Sequence, residues 1–387
     1  LDANTTADLN TAVGYQAMIA NTTGTQNVAV GADALDANTT GGNNVAVGQG
    51  ALSTNTTASN NSAVGRFALN ENTTGIENTA MGLSALRVNS TANYNCAFGK
   101  SALELNTTGA GNVAVGAYAL DANTTADNNT AMGYSSLTAN TTGYSNTAVG
   151  KSALATNSTG DQNVAMGHNA LHFNTTADNN TALGYGALFS NTTAANNTAV
   201  GASALYDNTT GANNTAVGMN CLQNNTTGYD NTGVGSGTFD QATTAYGNVA
   251  VGNNALDALT TGGRNVAVGS YALTAAQTSN HCIAMGYAAL AANTTWPNLA
   301  IGGNAGPALT TGGGNIAIGY QSMYTATTAA SNVCVGDGTG YALTTGATGN
   351  VFVGSSAGDA QTTTSYNTAV GWNALTDCTT GANNVAL

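Results

Sequence analysis

Apolar and polar positions recur along this chain with a period of 17 residues. One repeat, residues 21–37, reads NTTGTQNVAVGADALDA, and close copies of it follow from one end of the chain to the other. We number positions from its first residue, so that Asn21 is position 0. A fixed period of this kind is typical of a solenoid, in which each repeat forms one coil that stacks on the next.

The pattern within a repeat predicts a β-coil. Positions +6 to +9, Asn27–Val30, form a short strand, and Gly31 at +10 ends it because glycine tolerates a backbone conformation or close approach that other residues do not. Ala34 and Leu35 at +13 and +14 return apolar side chains to the core, and Asn-Thr-Thr-Gly makes the next corner. Glycine and β-branched residues are too frequent for helices. The sequence therefore predicts an all-β fold, a β-solenoid of about 23 coils.

The two faces of the strand raise the question of what each one covers. Position +9 is always large and apolar, as in Val30 and Met81, so we expect it to face the core. Position +8 is nearly always alanine, and alternation along a strand turns it the other way. A strand that is apolar on both faces is usually buried on both, which suggests a trimer packed through the alanine rows. The alternative is a thin solenoid whose alanine row packs against its own opposite wall.

The repeat register suggests three segments. They are a regular solenoid over 1–292, an irregular repeat over 293–308 and variant repeats of the same solenoid over 309–387. One residue is missing near Trp296 and one is added near Gly349. Pro297 and Pro307 both lie in the irregular repeat, and proline cannot donate to a strand ladder, so we expect a kink or an opening in the sheet there.

Late repeats show a compensating substitution. Glycine replaces leucine at +14 in Gly306, Gly340 and Gly358. In two of these cases a leucine appears three residues later, Leu309 or Leu343, whereas the third is followed by Gln361. The displaced leucine is expected to fill the same space, so position 0 should point at least partly inward.

Asparagine at position 0 supports two interpretations. Asn-Thr-Thr or Asn-Ser-Thr matches the N-glycosylation acceptor pattern at many repeats, and a glycan at every coil would sheathe the stack. Alternatively, stacked asparagine amides and threonine hydroxyls bond between coils. Threonine persists at +2 where the asparagine is absent, as in Thr261, which favours the ladders. The candidate glycosylation sites are Asn4, Asn21, Asn38, Asn55, Asn72, Asn89, Asn106, Asn123, Asn140, Asn157, Asn174, Asn191, Asn208, Asn225 and Asn293.

Composition and charge narrow the function classes. Only 6% of residues are charged, against about 25% in a typical soluble domain. The net charge is −13 and the few basic residues are scattered, so no nucleic-acid partner is expected. No apolar run is long enough to span a membrane, and no insertion is expected. The chain begins and ends inside repeats, which suggests a segment of a longer polypeptide.

Candidate chemistry is sparse, and no catalytic residue, metal site or cofactor is predicted. His168 and His172 are four residues apart, a spacing that suits a helix face and not a strand. The glycine-rich stretch 336–340 precedes no helix, so a phosphate loop is not supported. The five cysteines fall in coils too far apart for an intrachain disulfide, and we expect them to act as small core residues.

Two surface features leave a binding role open. Aromatic residues gather just after the glycine, as in Tyr15, Tyr185 and Trp372, where they would stack on sugars or shield the sheet. Regular threonine rows can bind ice when they are flat and exposed. Here the threonines at +1 and +2 are adjacent, so in an extended strand they would point opposite ways.

The repeat core NTAVGYxAL…NTTGxxN, seen at Asn10–Met18 and Asn180–Leu188, resembles repeats of phage tail-fibre and bacterial surface proteins. It is also similar to the head repeats of trimeric autotransporter adhesins, although its period is longer. The resemblance covers the whole chain and implies a trimeric β-roll built for attachment on a virion fibre or cell surface.

Three function hypotheses follow. The first is a non-enzymatic extracellular structural fibre for attachment, assembled from copies of itself as a trimer and with cell-surface glycans as candidate partners. The second is a glycan-coated extracellular filament subunit that stacks head to tail. The third is an ice- or carbohydrate-binding module.

Overall fold

The computed structural model describes residues 2–294 and 297–387. These residues form an all-β parallel solenoid of 23 strands, one for each repeat, and they include no helix. The predicted fold class and repeat are therefore confirmed. Thr295 and Trp296, which belong to the irregular repeat expected from the sequence, lie outside the described residues.

The chain forms two compact units, Leu1–Ala195 and Asn196–Leu387. The strands of the first unit are β1 (Thr11–Val13), β2 (Val28–Val30), β3 (Val45–Val47), β4 (Ser62–Val64), β5 (Thr79–Met81), β6 (Cys96–Phe98), β7 (Val113–Val115), β8 (Thr130–Met132), β9 (Thr147–Val149), β10 (Val164–Met166) and β11 (Thr181–Leu183). Those of the second are β12 (Thr198–Val200), β13 (Thr215–Val217), β14 (Thr232–Val234), β15 (Val249–Val251), β16 (Val266–Val268), β17 (Ile283–Met285), β18 (Leu299–Ile301), β19 (Ile316–Ile318), β20 (Val333–Val335), β21 (Val351–Val353), β22 (Thr368–Val370) and β23 (Val385–Ala386).

Within each unit, every strand pairs in parallel with the strand of the next coil and in exact repeat register, so that Ala29 lies opposite Ala46. The backbone bonds are short: Val28 N donates to Asn44 O at 2.9 Å, and Gly48 N donates to Val30 O at 2.8 Å. Coils also bond outside the strands, for example from Leu35 N to Ala51 O at 2.9 Å. Successive coils are therefore tied together on more than one side.

The interior of a coil is narrow and contains both apolar and amide side chains. Ala29, Ala34 and Leu35, at +8, +13 and +14, are fully buried, and so are Asn21 and Asn27 at 0 and +6. The expectation that +13 and +14 return to the core is confirmed.

The orientation predicted for the strand is wrong. The middle residue at +8 faces the core, whereas +7 and +9 point outward: in β2 Ala29 is fully buried and Val30 is 36% exposed. The leucine at +14 and the asparagines at 0 and +6 already occupy much of the interior, and the remaining space holds only an alanine. Because the alanine row packs against its own coil, it offers no surface to a second chain, and the trimer inferred from that row loses its basis.

The irregular repeat does not open the sheet. Ile283 of β17 pairs with Leu299 of β18, and Leu299 pairs with Ile316 of β19, so the ladder runs through this coil. The added residue near Gly349 is also absorbed outside the ladder, because Asn350 N still donates to Asn332 Oδ1, at 3.0 Å. The opening expected from the two prolines is therefore wrong.

Candidate functional surfaces

The asparagines at position 0 form a buried ladder along the first unit. Asn38 Nδ2 donates to Asn21 Oδ1 at 2.8 Å, and it also donates to Gly41 O of its own coil at 3.0 Å. Asn55 repeats both bonds one coil further, to Asn38 Oδ1 and Ala58 O, each at 3.0 Å. A buried amide needs its donors and acceptor satisfied, and the ladder achieves this at each step.

This burial bears directly on the candidate glycosylation sites. All of the candidate asparagines except Asn4 are fully buried. An N-linked glycan replaces a hydrogen on Nδ2, which is the atom that donates within the ladder. In the folded coil these side chains are therefore enclosed and already bonded, whereas Asn4 is exposed.

A second asparagine ladder follows position +6. Asn44 N donates to Asn27 Oδ1 at 2.9 Å, and Asn44 Nδ2 donates to Ala58 O at 2.9 Å. The side chain thus replaces a backbone acceptor at the entrance to each strand. This geometry explains why asparagine recurs at +6.

The threonine ladder differs from the one predicted. The side chain at +1 bonds between coils, and its acceptor is a carbonyl: Thr22 Oγ1 donates to Thr39 O at 2.9 Å. The side chains at +2, such as Thr23 and Thr40, are exposed.

The outward residues of the strands form a continuous uncharged surface in each unit, with one apolar row and one mixed row, which we call the strand face. It consists of the first and third residues of each strand. The third residue is always apolar, and the first is apolar, threonine, serine or cysteine. Met132 and Met166 in the third row are 43% and 44% exposed. No position of the strand face carries a charge.

A shallow, open depression of about 600 Å³, which we call the aromatic groove, lies in the second unit on the side formed by positions +11 to +16. Tyr271 and Tyr287 form a corner, with ring centroids 6.0 Å apart and ring planes at 84°. Pro307 completes the wall, and small residues such as Ala291 form the floor. Thr274 Oγ1 donates to Tyr271 O at 2.6 Å, which holds that turn in place.

The remaining reactive groups are used locally. His168 stacks on Tyr185 with centroids 5.6 Å apart, and His172 stacks on Phe189 at 5.4 Å, so each ring faces the following coil. Within the described part of the chain, no group of three or more His, Cys, Asp or Glu side chains is placed to hold a metal ion.

The cysteines are free thiols. Cys221, Cys282 and Cys334 are fully buried, which confirms the expectation of small core residues for these three. Burial raises the pKa of the Cys221 thiol to about 12 and also raises that of Cys334. These thiols therefore stay protonated and unreactive at neutral pH.

Comparison with known proteins identifies no family for the chain. No protein-family model matches it, and no curated protein matches it either. Among residues 2–294 and 297–387, no helix is long and apolar enough to cross a membrane. The parallel solenoid itself is compatible with a structural or fibrous role.

Proposed function

We propose that this chain is a non-enzymatic structural shaft of an extracellular or virion fibre that serves attachment. The observation that supports this most strongly is the pair of buried asparagine ladders. In these ladders the polar groups of the interior form hydrogen bonds between coils, as between Asn38 and Asn21. Bonds of this kind between successive coils make the stack of coils stiff along its axis, which is a property that a shaft requires.

Three measurements test the shaft. Negative-stain electron microscopy should show elongated particles of uniform width, and limited proteolysis should leave the chain intact, because few backbone groups are free between coils. Immunogold labelling of intact source cells or virions should place the chain on their surface. Globular particles, or label confined to the cell interior, would contradict the proposal.

The glycan-coated filament is the weaker alternative, because the ladder occupies the atoms that would carry the sugars. Head-to-tail stacking is a separate proposal, because the last strand of a β-solenoid can pair with a strand of another chain when nothing covers it. Fibre length that grows with protein concentration would support it.

A second candidate function, carbohydrate binding, is favoured by the aromatic groove. Its lining carries no charge, which suits a neutral ligand, and it combines ring faces with the hydroxyls of Tyr271, Tyr287 and Thr274. A sugar has matching apolar faces and hydroxyl edges, whereas a lipid lacks the hydroxyls. We propose a neutral oligosaccharide as the occupant.

Calorimetric titration with maltopentaose and cellopentaose tests this groove. Tyr287→Ala should abolish binding of a sugar that the wild-type protein takes. Tyr15→Ala, which removes an exposed tyrosine in the first unit, should leave it unchanged. Absence of binding to both sugars, or equal loss in the two variants, would contradict a saccharide site in this groove.

A further inference from the structure

We infer that the strand face of the first unit is an interface between two copies of this chain, related by a two-fold axis parallel to the stack of coils. Parallel β-sheets are normally covered on both faces. Here the inner face is covered by the coil, while the outer face of β1–β11 leaves apolar side chains such as Met81 and Met132 more than 40% exposed. This interface goes beyond the proposed shaft function and does not depend on it.

Charge excludes the other sides of the coil as a meeting surface. Each copy carries a net charge of −13, and none of its acids lies on the strand face. Copies that met through the acidic sides would bring like charges together, which is destabilising. The strand face lets two copies approach without that cost.

The charges that flank the strand face are arranged by sign. Positions +4 and +5, just before the strand, form an acidic edge in the first unit: Asp8, Glu77, Asp127, Asp161 and Asp178. Position +11, just after the strand, forms a basic edge: Arg66, Lys100 and Lys151. One acid, Asp33 at +12, adjoins the basic edge. Backbone bonds hold the acids in place, as when Tyr144 N donates to Asp161 Oδ1 at 2.9 Å.

The sorted edges select the orientation. A two-fold axis parallel to the stack reverses the strand direction, so the acidic edge of each copy lies along the basic edge of the other. A two-fold axis along the strands would instead place acid beside acid. In the favoured arrangement, the coil of Lys151 lies between the coils of Asp127 and Asp161, each about 5 Å away along the stack.

The area and the period also fit a second copy. Eleven strands about 4.8 Å apart and a face about 10 Å wide give about 500 Å² per copy, or about 1,000 Å² in total, which reaches the lower limit for a specific interface. An identical copy has the same coil spacing, so its side chains stay in step along the whole face. Isologous two-fold contacts are also the commonest form of self-association.

Sedimentation equilibrium of the whole chain tests the interface. The expected mass is twice 38.0 kDa, or 76.0 kDa. The double variant Met132→Lys and Met166→Lys should sediment as a monomer, because it places charges in the paired faces. The control variant Thr125→Lys and Thr159→Lys alters exposed +2 residues of the same coils and should remain a dimer. Circular dichroism and Tm should show that both variants fold.

A charge exchange tests the orientation. Lys151→Glu should weaken the dimer about tenfold or more, and adding Asp161→Lys should restore most of that affinity. Cys96, on the first row of the strand face, supplies an independent readout: a bismaleimide about 10 Å long should link two copies through it. A wild-type mass of one or three copies, or a dimer indifferent to the methionine changes, would overturn the inference. That outcome would leave the shaft proposal standing, because fibre morphology and surface labelling test it separately.

Discussion

Phe352 and Gly358 face each other across one coil, with the large side chain at +8 and the small residue at +14, which is the reverse of the standard coil. A Cβ atom on Gly358 would lie 2.6 Å from Cε2 of Phe352. In the standard coil, the same two positions hold Ala29 and Leu35. The large side chain has moved from one wall to the other, and the interior volume is preserved.

Two other coils also preserve the interior volume by compensating changes. Phe239 at +14 faces Gly233 at +8, where a Cβ atom would lie 3.2 Å from the ring. Gly306 at +14 faces Leu309 at position 0, where the distance would be 2.8 Å to Cδ1. This confirms the prediction that the displaced leucine fills the same space. In the repeat of Gly358, which has no displaced leucine at position 0, the phenylalanine at +8 fills that space instead.

The exchange predicts a rescue. Gly358→Leu alone should destabilise the coil by about 1–3 kcal/mol through overpacking, and Phe352→Ala alone by about 3–5 kcal/mol through a cavity. The double variant restores the standard pair and should come within about 1 kcal/mol of the wild type. Denaturant unfolding and hydrogen exchange of β21 would measure this. Additive losses in the double variant would contradict volume exchange.

The asparagine ladder predicts a cost for one missing rung. Asn123→Ala removes the donor to Asn106 Oδ1 and the acceptor for Asn140 Nδ2. Each buried polar group left unsatisfied costs about 1–3 kcal/mol, and Asn123→Asp should cost more because it adds a buried charge. Thr125→Ala, at an exposed position of the same coil, should change the free energy of unfolding by less than about 0.5 kcal/mol. Equal effects of the alanine variants in urea titration would argue against the ladder.

The glycine at +10, which ends each strand, should tolerate substitution by alanine much less well than a glycine elsewhere in the coil. Gly150 has φ +129°, and a Cβ atom there would lie 2.6 Å from Gly167 O. Gly150→Ala should therefore destabilise the chain by about 1–3 kcal/mol through backbone strain, with the close contact adding to that cost. Gly303→Ala at +11 is the matched comparison, because a Cβ atom there would lie no closer than 3.5 Å to the Tyr320 ring, and other coils carry alanine at +11, as in Ala32. We expect it to cost less than about 1 kcal/mol, and a similar fall in Tm for both variants would contradict the assigned role of +10.

Three aspartates at +15 predict an unusual pH dependence. Burial raises the pKa of Asp36, Asp121 and Asp257 above the ordinary value. A carboxyl with a raised pKa in the folded state favours folding when protonated, so its contribution is present below the unfolded pKa of about 3.9 and is lost as pH rises through the folded value. Tm should therefore rise as pH is lowered from 7 to 4. Replacing all three with asparagine should flatten that rise, and an unchanged slope would show that these groups are not its source.

The burial of the ladder asparagines predicts which acceptor sites can carry a glycan. When the chain is secreted from a eukaryotic cell, its soluble fraction should carry sugar at Asn4 and at no ladder position. Peptide mapping after enzymatic deglycosylation would locate the modified residues. Glycan on Asn123 in soluble, folded protein would contradict the buried ladder.

The sequence by itself determined the coil and much of its interior. The period, the glycine at +10 and the inward turn at Ala34 and Leu35 could all be taken from repetition, because each coil places the same residue in the same environment. The strand predicted at +6 to +9 is one residue shorter in the structure, at +7 to +9. Even the exchange of leucine between +14 and 0 was visible, since compensating changes recur within one chain.

Only the tertiary structure decided which face of the strand lies inside. Alternation separates Ala29 from Val30, but it does not say which of them faces the core. Residue size suggested Val30, and the closed coil places Ala29 inside because the opposite wall already fills the narrow interior. The same closure buried the asparagines that the acceptor motif had marked as glycosylation sites, and it turned an apolar face outward. These outcomes depend on the space left when the chain closes on itself, which a linear pattern does not contain.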